Sequence, residues 1–549
     1  MQPSFVHHLR QQVQVYGDTR SYTYLREAGR ELVEDVATYR ELDRDARGIA
    51  AWLATRPEAA HPVLLLHHDG MAFLRAFLGC LYAGVIAVPA PLPYDERSAR
   101  RTAGVIADSG AALILTTSDV APLAAAATSA QVVATDTVPG APDAWVMPEI
   151  DSSTVAFLQY TSGSTGDPKG VVVTHANLMH NEAAIAAALG ASDMLTVASW
   201  IPHFHDMGLI GTLLGCVYAG TNLVFMAPTT FLKRPVRWLQ MIDTYRANAT
   251  AAPNFAYDLV ARVVTDAQLA ELDLSTLRVA LSGAEPVRGK TLDRFAERLG
   301  PTGFRRTAFM PAYGLAEVTL LASAGDRGAE PARHDNLVSC GRPAAGIDLR
   351  IVDPVSAKQL PDNVIGEIWI RGDSVAAGYW NRAAETTETF DAHLDDTGPF
   401  LRTGDLGMVR DGALYVTGRL KDLLIVNGRN IYPQDIEELV RELHPALAAS
   451  GAAVSVDLAD KERLVLLQGV KPALLDGTDL AALAGAVKRA VARAFDIPAP
   501  SVVLLDRTAV HRTTSGKVQR SSMRDAFREH RLDGVLCADL DPALSPTTV

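Results

Sequence analysis

The chain has 549 residues, enough for more than one domain and a large core. Hydrophobic residues make up 48% and charged residues 21%, an ordinary globular balance. A formal net charge of −12 argues against broad nucleic-acid or anionic-membrane binding, while a local basic groove stays open.

The four cysteines, Cys80, Cys216, Cys340 and Cys537, are far apart and form no CxxC pair. Neither a zinc site nor a disulfide framework is suggested, and a reducing, cytoplasmic setting fits. The opening "MQPSFVHHLRQQ" lacks the apolar core of a signal peptide. No uninterrupted apolar run approaches the roughly 18 residues of a spanning helix, so no integral membrane segment is expected.

In chain order, "AALILTT" (111–117) reads as a buried strand, and "TVAFLQ" as another. "THANLMHNEAAIAAALG" reads as a helix with Thr174 as N-cap, Gly190 as stop, and Leu178, Ile185 and Leu189 on one face. "IGEIWIRG" (365–372) and "GALYVTG" (412–418) are strand-like. "DLAALAGAVKRAVARAF" is an amphipathic helix with Leu480, Leu483, Val487 and Ala494 expected inward. "SVVLLD" (501–506) is a strand, and the terminal "DPALSPTTV" looks like a disordered tail. The alternation predicts α/β architecture with parallel sheet. Composition marks no sharp domain boundary; the best candidate is "GRLKD" (418–422).

Between the first two segments of chemical interest lies "YTSGSTGDPKG" (160–170). Its glycines let backbone amides approach an anion closely, while hydroxyls and Lys169 add donors. The spacing is neither that of a Walker loop nor GxGxxG. Read alone, phosphate binding and a flexible surface loop compete evenly.

Six segments in order change that balance. "YTSGSTGDPKGV", "LSGAEP" (281–286), "AYGLAE" (312–317), "RTGDLG" (402–407), "GRLKDLLIVNGRNIYPQDIE" (418–437) and "RTTSGKVQR" (512–520) resemble the ordered motifs of the adenylate-forming superfamily. That superfamily comprises acyl-CoA synthetases, firefly luciferase and peptide-synthetase adenylation domains. The wording "PHFHDMGLIG", with "IVDP", "VSCGRP" and "GRNIYPQDIE", is most similar to the fatty acyl-AMP ligases.

The resemblance implies a large α/β domain of layered sheets and helices with a β-barrel portion, residues 1–418. It implies a small mobile α+β domain with a catalytic lysine loop, 419–535, and a flexible tail, 536–549. It implies that a carboxylate attacks the α-phosphate of ATP, releasing pyrophosphate and leaving an acyl-adenylate. Thr161, Ser162, Gly163, Ser164, Thr165, Gly166 and Lys169 would hold the β- and γ-phosphates. Glu317 would hold Mg²⁺, with Thr161 assisting; an isolated glutamate is more often a solvated charge. Tyr313 and Gly314 would meet the adenine, Tyr313 by stacking or simply as core. Gly283, Ala284 and Glu285 would line the base by backbone approach.

Asp405 would accept the ribose hydroxyls, with Arg419 assisting, since a carboxylate is purely an acceptor. His205 would lie near the substrate carboxylate; its alternative is a core histidine. Lys517 would bridge carboxylate and α-phosphate, although a lone lysine is ordinarily a solvated charge. Lys421 would be the hinge. A pantetheine thiol, on an acyl carrier protein or as CoA, would then take the acyl group.

Acyl-AMP ligases typically carry an extra segment after the glutamate motif. The short stretch from Glu317 to Gly341 resembles ordinary acyl-CoA synthetases, so that insertion is expected to be missing. The acid itself cannot be read from the scattered Phe231, Phe255 and Tyr257.

Overall fold

The computed structural model describes residues 4–29, 31–94, 96–126, 128, 130–138, 140–161, 168–191, 194–426, 429–458, 461–475, 477–512, 517–541 and 544. These divide into two compact units, one ending at Val416 and the other starting at Thr417.

The first unit contains two largely parallel sheets. In the nine-stranded sheet, six consecutive strands run parallel: Ser21–Ala28, Asn222–Met226, Thr196–Ser199, Ala249–Pro253, Val279–Gly283 and Phe309–Gly314. Antiparallel strands close both edges. The six-stranded sheet joins Val63–Leu65, Ala87–Pro89, Leu113–Thr116, Gln131–Ala134 and Val155–Thr161 in parallel, with Lys169–Thr174 antiparallel at one side. Continuous apolar runs such as Leu113–Thr116, buried at every position, are what parallel strands covered on both faces require. A five-stranded antiparallel sheet built around Gly366–Arg371 and Thr397–Arg410 supplies the half-barrel portion.

Helices between the strands are delimited as their sequences dictate. Thr174 caps His175–Leu189 by accepting from Asn177 N, and Gly190 ends it at φ 62°, a left-handed position that glycine adopts without a Cβ penalty. Asp69 caps Gly70–Ala83 through two backbone amides.

The helix His175–Leu189 carries an unexpected charge inward. Glu182 is fully buried, and neither carboxylate oxygen has a hydrogen-bond partner among the described residues. Burial alone pushes this carboxyl well above its usual range, so it stays protonated when folded. The folded state therefore holds a proton that the unfolded state releases. The associated stability is complete below the unfolded carboxylate value and is lost as pH rises toward the folded one. In urea titrations, the native protein should lose up to about 1.4 kcal/mol per pH unit relative to Glu182→Gln within that window. Parallel pH profiles for the two proteins would contradict this.

Aromatic residues far apart in the sequence converge against the nine-stranded sheet. Trp200 stacks on Phe231 with ring centroids 3.9 Å apart, and Trp238, Phe255 and Tyr257 pack around them. Phe231 and Tyr257 are fully buried, as a core requires.

The second unit contains a four-stranded sheet of Leu447–Leu458, Lys461–Val470, Ser501–Asp506 and Val535–Asp539. Helices Pro433–Leu443 and Leu480–Phe495 pack their apolar faces on it. Two expectations need correction here. Ala494 is exposed; the buried face of Leu480–Phe495 is Leu483, Ala484, Val487 and Val491, and although 3.6 residues per turn keep Ala494 on the same stripe, it lies in the last turn of the helix, past its buried stretch. The flexible tail does not begin at 536, because Val535–Asp539 pairs antiparallel with Ser501–Asp506. An edge strand with few buried side chains has a weak apolar signature.

Candidate active site

The first unit assembles the predicted positions from strand ends and the turns after them. Strand Phe309–Gly314 has Tyr313 as its penultimate residue, and the Tyr313 side chain is buried. Its hydroxyl donates to Asp405 Oδ2 at 2.8 Å, across more than ninety residues of sequence. The carboxylate of Asp405 is itself buried and sits in "RTGDLG", at a bulge within strand Thr397–Arg410.

That bulge is shaped by a residue sequence reasoning passed over. Glu367, buried inside strand Gly366–Arg371, accepts from Arg402 at 2.8 Å, from the Trp369 indole at 3.0 Å and from Gly404 N at 3.2 Å. Gly404 takes φ 68°, which lets its amide face Glu367 without a Cβ penalty. Thr403 Oγ1 donates to Ile368 O and accepts from Asp405 N. A glutamate between apolar neighbours in a buried strand was the available signal, since such a charge is retained only when paired.

A second cluster surrounds Glu317. The residue lies in the short turn Ala316–Val318, just past a bulge in the strand pairing at Tyr313–Gly314. Gly314 is obligatory: a Cβ there would lie 1.8 Å from Leu320 O. The turn is held from below by Asn181, which donates to Val318 O and Leu321 O and accepts from Leu321 N. Tyr379 donates its hydroxyl to Glu317 Oε1 at 2.9 Å. Lys169 Nζ lies 5.0 Å from the centroid of the Tyr379 ring, a cation–π distance. Burial and the neighbouring Glu317 carboxylate push the Tyr379 phenol well up, so it remains a donor. Tyr379 and Asn181 carried no motif signal; only the fold places them at the carboxylate.

Lys169 opens strand Lys169–Thr174, opposite Thr161 at the end of Val155–Thr161. Ser162, Gly163, Ser164, Thr165 and Gly166, with the Thr161 side chain, lie outside the described residues. Gly283 ends a parallel strand, and a Cβ on it would approach Ala312 O to 3.2 Å. Ala284 follows at φ 64°, and Glu285 Oε1 accepts from Phe255 N at 2.5 Å.

The segment after strand Thr196–Ser199 distinguishes its two histidines. His203 is the core histidine: its ring lies 4.4 Å from that of Phe73, Nε2 donates to His67 O at 3.1 Å, and burial lowers it to about 4. His205 is half-buried, with Nδ1 2.6 Å from Asp206 Oδ1. The chain then enters a π-helical turn, Leu209–Leu214, a geometry enriched at functional sites.

In the second unit, Arg419 ends strand Ala413–Arg419, and Lys421 lies exposed in the turn Leu420–Asp422. Lys517 directly precedes a bridge between Arg512 and Val518. Arg520, three residues on, binds Glu437 through two 2.7 Å bonds and Asp422 at 2.9 Å. It was read only as the end of a motif. Its two carboxylates hold its guanidinium firmly charged.

Tyr313 and Glu317 stand at and just past the carboxyl end of a parallel strand, where open α/β sheets form their ligand crevices, and Asp405 and Tyr379 reach them from other segments of the chain. Residues 9–380 match the family model of the AMP-binding enzymes, and the chain belongs to that adenylate-forming family. It is 40% identical over 553 residues to the medium-chain-fatty-acid–[acyl-carrier-protein] ligase JamA of Moorena producens (strain JHB), covering 94% of this chain and 93% of that protein. It is 38% identical over 542 residues to a 4-hydroxyphenylalkanoate adenylyltransferase of Mycobacterium marinum (strain ATCC BAA-535 / M), covering 90% and 86%. Among solved structures, the fatty acyl-adenylate ligase from L. pneumophila in complex with acyl adenylate and pyrophosphate superposes with a TM-score of 0.74 at 33% identity, over 99% of this chain and 98% of that one. The chain is an adenylate-forming ligase of the acyl-AMP ligase type. Among the described residues, no helix is long and apolar enough to cross a membrane.

Proposed function

We propose that this enzyme activates a fatty acid as acyl-AMP and passes the acyl group to the pantetheine thiol of an acyl carrier protein, in the cytoplasm. The observation that carries the reading is the pair of motif clusters, Tyr313 with Asp405 and Lys169 with Tyr379 and Glu317, in a chain similar to a fatty-acid–carrier-protein ligase.

A carboxylate oxygen attacks the α-phosphorus, and the bond to the β-phosphate breaks, releasing pyrophosphate. Both reactants are anions, so positioned cations and donors do most of the work. Lys169, with Thr161, Ser162, Ser164, Thr165 and the backbone of Gly163 and Gly166, grips the β- and γ-phosphates. Glu317 suits Mg²⁺, which binds through one or two carboxylates plus substrate phosphates and neutralises charge there when bound; Tyr379 keeps Oε1 oriented, and Thr161 assists. Gly283, Ala284, Glu285 and Gly314 border the adenine with Tyr313. Asp405 accepts the ribose hydroxyls, with Arg419 assisting. His205, fixed by Asp206, orients the substrate carboxylate.

Lys517 supplies the cation shared by carboxylate and α-phosphate. The domains divide these duties: residues 1–418 bind ATP and acid, 419–535 carry the lysine loop, and rotation at Lys421 then admits the thiol. The thiol sulfur attacks the acyl carbonyl, its proton passes to solvent, and AMP leaves.

One observation favours a second reading. The stretch from Glu317 to Gly341, occupied by strand Leu321–Ala324 and a two-stranded hairpin, is short for a segment that would disfavour CoA. A complete acyl-CoA synthetase is therefore the rival. The test is rapid-quench analysis of acyl-adenylate made from medium-chain and ω-aryl acids with ATP, then chased with buffer, CoA or holo-carrier protein. We expect slow decay in buffer and the fastest decay with carrier protein. Fast decay with CoA and none with carrier protein would establish the rival; pyrophosphate release with no acid in the panel would remove the ligase assignment of the substrate.

A further inference from the structure

The loop that carries His205 and Asp206 leaves strand Thr196–Ser199 of the nine-stranded sheet, yet it is tied to the other sheet. Gln159 Nε2 donates to Phe204 O at 3.0 Å. His203 Nε2 donates to His67 O at 3.1 Å, just beyond strand Val63–Leu65. Two adjacent residues of one loop are thus pinned by two strand ends of the six-stranded sheet.

Of the two ties, Gln159 has the more telling place. It lies in Val155–Thr161, two residues before Thr161, which pairs with Lys169. Phe204 directly precedes His205, whose Nδ1 meets Asp206. One amide therefore spans from the strand that launches the phosphate loop to the residue before the histidine. Gln159 is almost wholly buried, and its Oε1 accepts no hydrogen bond from any described residue. A purely structural position in such surroundings, with Phe157 and Leu158 fully buried beside it, would be filled better by an apolar side chain. Among the described residues the retained amide has one partner, and that partner is the loop.

We propose that Gln159 is a positioning residue that couples the ATP-phosphate side of the site to the acid side, holding the His205–Asp206 segment in register with the strand that leads to the phosphate loop. This rests on the ATP-dependent reading above. The link transmits small displacements because its elements are a strand and a loop anchored at two points, each packed into its own apolar cluster. ATP engagement at Thr161 and Lys169 thereby sets the loop that orients the carboxylate, and both reactants are aligned only when both are bound.

The test compares the wild type with Gln159→Met, which keeps length and volume but removes the amide, and with Gln159→Glu, which keeps the shape and can donate only when protonated. Pyrophosphate exchange should show kcat lowered about tenfold in Gln159→Met, with KM for ATP and for acid each within about twofold and with little change in Tm. Gln159→Glu should regain part of that kcat as pH is lowered. Transfer of supplied acyl-adenylate to thiol should be unchanged. Separately, α,β-methylene-ATP should slow amide hydrogen exchange at 168–174 and at 200–206 in the wild type, and only at 168–174 in Gln159→Met.

Unchanged kcat, or a loss that scales with a fall in Tm in both variants, overturns the coupling. So does nucleotide protection at 168–174 with none at 200–206 in the wild type. No protection by the nucleotide anywhere in the wild type would instead overturn the ATP reading itself, and the coupling with it.

Discussion

Lys517→Ala should slow acyl-adenylate formation by roughly 10²–10³-fold, the scale of losing one preorganised transition-state donor. Charge is greatest as the carboxylate meets the α-phosphate, so the loss should fall on kcat for adenylation rather than on KM for ATP. Lys517 directly precedes the Arg512–Val518 bridge, and Gln519 N donates to His511 O at 2.9 Å, so backbone pairing fixes where the lysine starts. Alanine should leave that pairing, and the fold, intact. A supplied acyl-adenylate should still pass to a thiol at close to the normal rate, since the cation belongs to the first half-reaction. Pyrophosphate exchange and single-turnover thiol transfer measure the two halves. Equal losses in both would contradict the division, and a lowered Tm would mark the lysine as structural.

Arg520→Ala should destabilise the second unit by about 3–5 kcal/mol, the range for removing one partner of a largely buried ion pair. The guanidinium is planar and pairs with Glu437 through two parallel bonds while a third reaches Asp422. Side-chain exposures of 20%, 18% and 15% for Arg520, Asp422 and Glu437 mean that two carboxylates would be left with little water and no cation. Arg520→Lys should recover only part of the loss, because an ammonium cannot form the bidentate pair. Asp422 adjoins Lys421, so the variant should also impair steps that depend on the hinge. Urea denaturation followed by a probe in the second unit checks the first claim. A stability change below about 1 kcal/mol would show that the triad is solvated in practice.

The two variants report on different kinds of legibility. Lys517, Glu317, Asp405 and Lys169 stand in short motifs whose order along the chain carries their meaning. Their chemistry needs a residue type at a spacing, and a linear string preserves both. Secondary structure was legible where a period or a cap is local: Thr174 and Gly190 bound their helix, and Leu113–Thr116 reads as a buried strand without help from the rest of the chain. Where the local signal is weak the reading slipped. Ala494 sits on the apolar stripe of its helix but in the last turn, where the stripe says nothing of burial, and Val535–Asp539 is a strand only because Ser501–Asp506 offers it an edge.

The sequence by itself determined the superfamily, the α/β alternation and the candidates for the reacting groups, because each is encoded in contacts between near neighbours or in a motif's fixed spacing. Only the tertiary structure decided which residues support those groups. Tyr379 reaches Glu317 across 62 positions, Asn181 reaches Leu321 across 140, and Gln159 reaches Phe204 across 45. It also decided which histidine of "PHFHD" is tied into the core and which is available, since both look alike in a string, both are half-buried, and only the packing of His203 on Phe73 and its bond to His67 O separate them. The physical reason is common to all of these. A hydrogen bond's partner is chosen by where packing brings two chain segments together, and an amide or phenol has the same local sequence signature whether its partner is water or a catalytic carboxylate.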